Sequence, residues 1–315
     1  MAFVHYTEAS GGLPNAGRLS GTNGDLAGIL DVVLVAAGWA IEYSSGFARV
    51  YRPATGNRFR FHVNDDSAVS GAATLCVVRG CENATNATTL TDPFPLAAQV
   101  ANGVCNWLKS STANTTARTF DIWASDTWVF FAVNPAGTAN VWEWHFFGDV
   151  PPLNSGDVYN TVCFVRNTSG VTPGIYTAVS STGTGVTRIF FTRSYDGTVK
   201  STQGSIVNGT GVGANTINFP PAQGGPTGKI DKEKTILADT GSQSTIMSAS
   251  LGLPKRAWLP NIWIPNHGGF GSINVRDTWT DNAYNASAIF TEFSTNTNNA
   301  FVIVETTNTW APGAI

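Results

Sequence analysis

Residues 119–147 read TFDIWASDTWVFFAVNPAGTANVWEWHFF and contain three strand-like runs, at 119–124, 127–133 and 140–147. Two short turn signals separate these runs: Ser-Asp at 125–126 and Asn-Pro-Ala-Gly at 134–137. Aromatic and β-branched residues are enriched in strands, whereas Asn, Pro and Gly favour turns. Short strands separated in this way predict an all-β sandwich or barrel.

The same alternation of strands and turns extends outward over residues 38–165. Apolar runs, alternating or continuous, predict five further strands there, at 39–43, 48–52, 59–63, 74–78 and 157–165. Turn signals between strands at this spacing are typical of sandwiches and barrels. We therefore expect a mainly β protein, with a β-sandwich or barrel-like body, one N-terminal helix and long loops.

The expected helix covers residues 25–37. Apolar residues recur at the spacing of one helix face, at positions 26, 29, 30, 33 and 37. Asp25 suits the N-cap position and Gly38 the position after the last turn, because Asp accepts peptide N–H groups and Gly adopts left-handed backbone angles. The valines within 32–35 leave a strand as the alternative.

Composition divides the chain into four segments. Residues 1–24 are rich in Gly, show no period long enough for an element, and are interpreted as an N-terminal arm. Residues 25–165 form the β-rich core domain. Residues 166–230, dominated by Gly, Thr, Ser and Asn, predict a loop-rich insertion with one or two edge strands. Residues 231–315 predict a C-terminal β segment that packs on the core, and a domain boundary near 166 or 230 is the alternative.

The main apolar anchors of the loop-rich segment are at 189–191 and 216–219. Three short apolar runs in the last segment predict strands, at 235–238, 287–293 and 299–305. Pro254, Pro260 and Pro265 interrupt the apolar run 253–265. Because proline lacks a peptide N–H, this run is predicted to be neither a helix nor a central strand.

The charge content is low and nearly balanced. Charged residues make up 12% of the 315 residues, and 18 Lys and Arg stand against 21 Asp and Glu. Without a basic excess, binding to nucleic-acid phosphates is not supported, and no apolar run reaches the ~18 residues of a membrane helix. The start MAFVHYTEAS lacks the basic and apolar regions of a secretory signal. We expect a protein that is not secreted and has no nucleic-acid or membrane partner.

The cysteines show no Cys-x-x-Cys pair; they are Cys76, Cys81, Cys105 and Cys163. Without a secretory signal, four reduced and mostly buried thiols are expected. A disulfide framework, which usually stabilises much shorter secreted chains, is the alternative. The sequence leaves the redox state of these thiols open.

One motif is similar to a protease loop. Apolar residues precede Asp239-Thr-Gly-Ser242, as in the catalytic loop of aspartic proteases. That chemistry needs two carboxylates that share a proton, and the chain has no second Asp-Thr-Gly or Asp-Ser-Gly. A strand that ends in a turn is the simpler interpretation.

Nucleotide and metal motifs are also incomplete. Residues 224–229 are similar to a phosphate-binding loop, but Ile230 stands where Ser or Thr would bind magnesium, and the Gly-rich 209–213 lacks a strand–turn–helix context. The histidines have no metal-binding spacing; they are His5, His62, His145 and His267. We therefore predict no catalytic, cofactor-binding or metal-ligating residue, no cofactor, and a protein that is not an enzyme.

Some strand and turn residues suggest further sites. Four tryptophans could stack on a sugar, but their strand spacing favours packing; they are Trp123, Trp128, Trp142 and Trp144. Glu143 is expected to face outward. Three dipeptides that contain Asp are expected at turns, where the Asp side chain hydrogen-bonds to nearby backbone groups. They are Asp65-Asp66, Gly148-Asp149 and Gly156-Asp157.

Several motifs are shared with a known group of proteins. GWAIEYSSG at 38–46 is followed by VYRPATGNRF at 50–59, and further matching motifs lie at 65–66, 78–80, 122–126, 146–149, 155–159 and 259–267. These motifs resemble structural proteins of tailed bacteriophages, closely over 25–165 and loosely over 250–315. The resemblance implies a virion component of the tail, baseplate or neck, with no enzymatic site to carry over.

The resulting hypothesis is a virion structural protein that acts through protein–protein assembly. It would form a homo-oligomer and contact other virion proteins, since few charges suit a surface covered by neighbours. The 1–24 arm and the 166–230 loops are expected to supply much of the contact; mobility of both segments in a free monomer is the alternative. A capsid decoration protein, or a receptor- or carbohydrate-binding module on the particle, are alternatives. Head or tail location, copy number and symmetry stay open.

Overall fold

Two antiparallel β-sheets face each other across a shared hydrophobic core, and a helix packs beside them. The computed structural model describes residues 4–96, 106–137, 142–152, 156–164, 189–194, 197, 200–207, 232–239, 255–265, 278–280, 289–294 and 301–305. The described residues contain the helix α1 (Asp25–Ala36) and a single helical turn, α2 (Ser67–Ser70). The prediction of a mainly β sandwich with an N-terminal helix is confirmed.

Strands account for most of the regular structure. In chain order they are β1 (Val4–Thr7), β2 (Ala40–Ser45), β3 (Ala48–Arg52), β4 (Arg60–Asn64), β5 (Leu75–Ala84), β6 (Leu90–Phe94), β7 (Asn106–Leu108), β8 (Thr119–Ala124), β9 (Trp128–Asn134), β10 (Glu143–Asp149), β11 (Thr161–Phe164), β12 (Ile189–Thr192), β13 (Thr202–Val207), β14 (Lys232–Asp239), β15 (Lys255–Pro265), β16 (Thr278–Thr280), β17 (Ile289–Ser294) and β18 (Phe301–Glu305).

The two sheets divide the chain almost cleanly. The small sheet has the order β2-β3-β4-β5-β6, and β7 pairs with the start of β5. The large sheet has the order β1-β8-β9-β10-β11-β12-β13-β14-β15-β18-β17-β16. Apart from β1, the large sheet therefore consists of strands that follow the small sheet in sequence.

Aromatic side chains fill the space between the sheets. Phe61 of the small sheet stacks on Phe147 of the large sheet, with ring centroids 4.4 Å apart. Trp107 and Phe131 meet in the same way at 5.9 Å. The apolar face of α1 is fully buried against this core. Burial on this scale is the main favourable contribution to folding.

The sequence predicted the C-terminal end of α1 correctly but not its N-cap residue. Gly24, with φ 83°, occupies the N-cap position, and Asp25 is the first helical residue. The prediction of Asp25 as the N-cap is wrong. The carboxylate of Asp65 accepts the N–H groups at the start of the helix instead. Gly38 follows the last turn with φ 93°, as predicted.

Residues 4–24 do not form a separate arm. β1 pairs with β8, so that His5 lies opposite Trp123 at the edge of the large sheet. Leu13 and Leu19 are buried in the core. The interpretation of an N-terminal arm therefore does not hold for residues 4–24, which pair with and pack on their own chain. β1 is too short to show a period, and its partner lies more than a hundred residues away.

The late strands extend the large sheet. β12 forms at the apolar anchor 189–191. β12 and β13 lie inside the sheet, so the prediction of edge strands in this segment is wrong for both. β15 lies between β14 and β18, which overturns the prediction that residues 253–265 form no central strand. The registers on either side of Pro260 differ, Lys234 pairing with Trp263 and Ile236 with Trp258. The β14–β15 pair is therefore irregular around Pro260. A proline fits at such a position because no peptide N–H is needed there for a hydrogen bond between the strands.

Candidate functional site

A lysine–aspartate ion pair lies in the interior at the N-terminus of α1. Asp65 directly follows β4, and its peptide N–H donates to the carbonyl of Phe47 at 3.1 Å. Lys109 directly follows β7, and its N–H donates to the carbonyl of Thr74 at 3.0 Å. Lys109 Nζ donates to Asp65 Oδ1, and both side chains are 0% exposed. The ends of two strands thus fix both partners, although 44 positions separate them.

The other carboxylate oxygen of Asp65 caps the helix. Oδ2 accepts the N–H groups of Leu26 at 2.8 Å and Ala27 at 3.3 Å, which have no partner within a helix. Burial raises the pKa of Asp65 to about 6, against the lowering effect of Lys109 and of the two N–H groups. Oδ2 therefore accepts two peptide N–H groups at the positive end of α1, and Oδ1 accepts a hydrogen bond from the amine of Lys109.

Polar groups from the N-terminal segment enclose the pair. Lys109 Nζ also donates to the carbonyl oxygen of Thr22 at 2.5 Å. Ser20 Oγ lies 2.9 Å from Thr22 Oγ1 and donates to Asp25 Oδ2 at 2.5 Å, while Asn15 Nδ2 donates to Asp25 Oδ1 at 3.0 Å. The segment expected to be an arm instead satisfies buried polar groups of its own chain.

A second polar cluster joins the loop after β3 to the ends of β10 and β11. Asp149 Oδ2 accepts the peptide N–H of Asn57 at 2.7 Å, and Asp149 Oδ1 accepts from Thr161 Oγ1. Burial raises the pKa of Asp149. Two of the motifs that carry the phage resemblance, at 50–59 and 146–149, therefore meet in one partly buried contact.

The acidic turn residues behave in two ways. Asp66 and Asp157 each accept the N–H two positions later, at 3.0 and 3.1 Å, which confirms the prediction for them. The same prediction is wrong for Asp65 and Asp149, whose carboxylates reach distant segments instead.

The tryptophans pack inside the protein. A ladder of rings crosses the face of the large sheet that points away from the shared core: His5 stacks on Trp123 at 4.3 Å, and Phe130 lies 5.7 Å from both Trp123 and Trp144. The tryptophans suggested as a sugar platform are all at most 6% exposed; they are Trp123, Trp128, Trp142 and Trp144. The preference for packing over an exposed platform is confirmed.

Glu143 lies on the inner face of β10. It shares that face with His145, which stacks on Trp107 at 5.4 Å, and with Phe147. At 7% exposed, Glu143 is buried, so the prediction of an outward-facing residue is wrong. The large sheet buries both of its faces here, and alternation cannot identify an outer face in that case.

Polar side chains are also buried on the outer face of the small sheet. His62 and Asn64 alternate with core residues on β4, and Asn106 lies two strands away on β7. Burial and the charge of Arg79 lower the pKa of His62 to about 4, so this imidazole is neutral near pH 7. No spacing in the sequence pointed to this row.

An exposed apolar border runs along α1 and β2. Val35 on the helix, Ile41 on β2 and Phe47 in the following turn are 51%, 39% and 42% exposed. Among the described residues β2 pairs with β3 alone, so its outer edge carries unpaired peptide groups. We call these three side chains and β2 the α1–β2 border.

Several sequence hypotheses fall outside the described residues. Asp239 ends β14, and the rest of the protease-like motif lies beyond it. The same holds for 209–213, 216–219 and 224–229, and for Cys105 and His267. The other three cysteines are buried thiols outside any disulfide, as predicted; they are Cys76, Cys81 and Cys163.

The described residues contain neither a metal-binding cluster nor a membrane-spanning helix. No group of three or more His, Cys, Asp and Glu side chains there could hold a metal ion. No helix in the same residues is long and apolar enough to cross a membrane. In comparisons with known proteins, no family model matches the chain and no curated protein matches it.

Proposed function

We propose that this chain is a structural component of a tailed-phage virion, acting through protein–protein assembly in the tail, baseplate or neck. It works without turning over a substrate and contacts copies of itself and other virion proteins. The resemblance at 38–59 and 122–159 supports this, as does the 12% charge content. Surfaces with few charges lose little solvation when neighbours cover them.

The observation that carries the proposal is the α1–β2 border. Exposed edge strands accept a further strand through their free N–H and C=O groups. Exposed apolar side chains beside such an edge add surface that a neighbour can cover. Val35, Ile41 and Phe47 are such side chains on α1, on β2 and in the turn after β2, and β2 pairs with no described strand other than β3.

Dissected particles test the location. Mass spectrometry of separated head and tail fractions is expected to find the chain in the tail fraction in several copies. Recovery from the head fraction alone would favour the decoration protein instead. Absence from every particle fraction would overturn the proposal of a virion component.

A matched pair of variants tests the border. Ile41→Lys places a charge on it, whereas Val158→Lys makes the same type of change at an exposed residue elsewhere. We expect Ile41→Lys to lower incorporation into particles, and to lower the mass of the homo-oligomer in light scattering, while Val158→Lys leaves both unchanged. Equal incorporation of the two variants would exclude the α1–β2 border as the interface.

A further inference from the structure

The Asp65–Lys109 pair is distinct from the other ion pairs among the described residues, because both of its side chains have no exposed surface. Pairs such as Arg49–Asp31 and Arg60–Glu42 keep part of each side chain in water. Placing two full charges out of water costs much solvation energy, and a buried pair recovers this only in part. A reaction that removes both charges is therefore favoured at this position.

We propose that Lys109 Nζ and Asp65 Cγ join in an intramolecular isopeptide bond. An ammonium and a carboxylate become a secondary amide and one water molecule. The Nζ–Cγ bond forms and the Cγ–Oδ1 bond breaks, and two of the three ammonium protons leave with Oδ1 as water. The reaction needs no oxidant, reductant or further reactant.

The first requirement is an amine beside a carboxyl group in neutral form. The Lys109 Nζ–H to Asp65 Oδ1 hydrogen bond is the path along which one proton moves, which produces an amine and a carboxylic acid. Complete burial penalises charged groups, so the neutral pair lies closer in free energy to the ion pair here than it would in water. Burial also raises the pKa of Asp65 to about 6, which brings protonation of this carboxyl closer to neutral pH. The carbonyl of Thr22 holds a second Nζ–H and so fixes the amine in place.

The second requirement is stabilisation of the oxyanion that forms when the amine attacks. The charge develops on Asp65 Oδ2, which already accepts two peptide N–H groups, from Leu26 and Ala27. These donors are fixed by α1 before the reaction, and they lie at the positive end of the helix. Oδ1 points to Lys109 and leaves as water after it receives the second proton.

The third requirement is that the bond persists. Peptide-like bonds hydrolyse only when water reaches them, and the buried position excludes water from the product. The fixed distance between the two groups replaces an encounter between separate molecules, which accelerates attack even for a weak nucleophile. The bond is independent of the proposed role in a virion, since it depends only on contacts within one chain.

Intact-mass measurement of the folded, incubated full-length protein tests the bond directly. The expected mass is lower than that of the sequence by one water molecule, also after denaturation. In a tryptic digest, residues 61–79 and 80–118 are expected as one branched product without cleavage after Lys109. A mass equal to that of the sequence, with separate 61–79 and 80–109 peptides, would overturn the proposal.

Two variants localise the change. Lys109→Met is expected to restore the full mass, whereas Lys200→Met, at a half-exposed lysine, keeps the loss of water. Loss of water that survives Lys109→Met would belong to another site and would refute the assignment. If Lys109→Met fails to fold, the peptides of the unchanged protein still decide the question.

Discussion

Replacing Lys109 with Met leaves Asp65 as a buried carboxyl group without its cation. Met has an unbranched, flexible side chain, so it can fill much of the space of the lysine stem. Removing one partner of a buried ion pair costs about 3–5 kcal/mol, because the remaining charge stays out of water. We expect the variant to lose about that much unfolding free energy near pH 7 relative to the free ion pair, and more relative to a protein that carries the Lys109–Asp65 bond.

The loss depends on pH, because a proton can neutralise Asp65. The pKa of this carboxyl is about 6 with Lys109 beside it, and it lies higher without the cation. The unfolded chain has the ordinary value of 3.8. Between the two values the folded state binds a proton that the unfolded state releases. The variant therefore gains about 1.4 kcal/mol of stability per pH unit as the pH falls, and loses it as the pH rises through the folded pKa.

Urea unfolding followed by tryptophan fluorescence measures this effect at pH values of about 7 and about 5. The original protein at each pH corrects for the other titrating groups, and Lys200→Met controls for loss of a lysine. The penalty of Lys109→Met is expected to shrink at the lower pH, by up to about 1.4 kcal/mol against an original protein with the free ion pair and by at least that much against one that carries the Lys109–Asp65 bond. An equal penalty at both pH values would refute the buried, protonatable carboxyl.

Three smaller changes test other contacts by chemical unfolding. Trp39→Phe removes the indole N–H that donates to the carbonyl of Ser125 at 2.6 Å, and should cost about 1–3 kcal/mol. Gly148→Ala should cost at least about 2 kcal/mol, because φ is 137° and an added Cβ would lie 2.3 Å from a backbone atom. Glu42→Gln weakens a partly exposed pair with Arg60 at 2.9 Å and should cost less than about 1 kcal/mol. A smaller loss for Trp39→Phe than for Glu42→Gln would contradict the buried hydrogen bond.

Elements with strong local patterns could be predicted from the sequence. β3 has the same bounds as the predicted strand 48–52, and α1 ends one residue before the predicted helix 25–37 does. Side chains in these segments alternate between environments with the period of the element, so the pattern and the structure share one cause. The late strand β15 was missed because a register irregularity accommodates its proline, and such an irregularity depends on the partner strand.

The buried pair could not be predicted, because its two members come from distant strand ends. Asp65 looked like a turn residue, and Lys109 belongs to no motif. One signal was present: Lys109 is the single charged residue between Asp92 and Arg118. A lone charge within an otherwise uncharged stretch is either at the surface or specifically paired, and only the fold decides between the two. The same limit applies to β1, whose role depends on β8.

On the ribosome, the first strand of the large sheet emerges long before its neighbour. His5 and its bonding partner Asp121 are 116 positions apart, which corresponds to about 6–23 s of synthesis at typical elongation rates. In that interval α1 and all strands of the small sheet, which ends at Leu108, are already made. Val4 and Tyr6 therefore lack their partner strand β8 on a nascent chain that already contains the whole small sheet. A chain that stalls before Thr119 still has an N-terminal strand with an unpaired edge. During this interval the strand is a binding site for a chaperone.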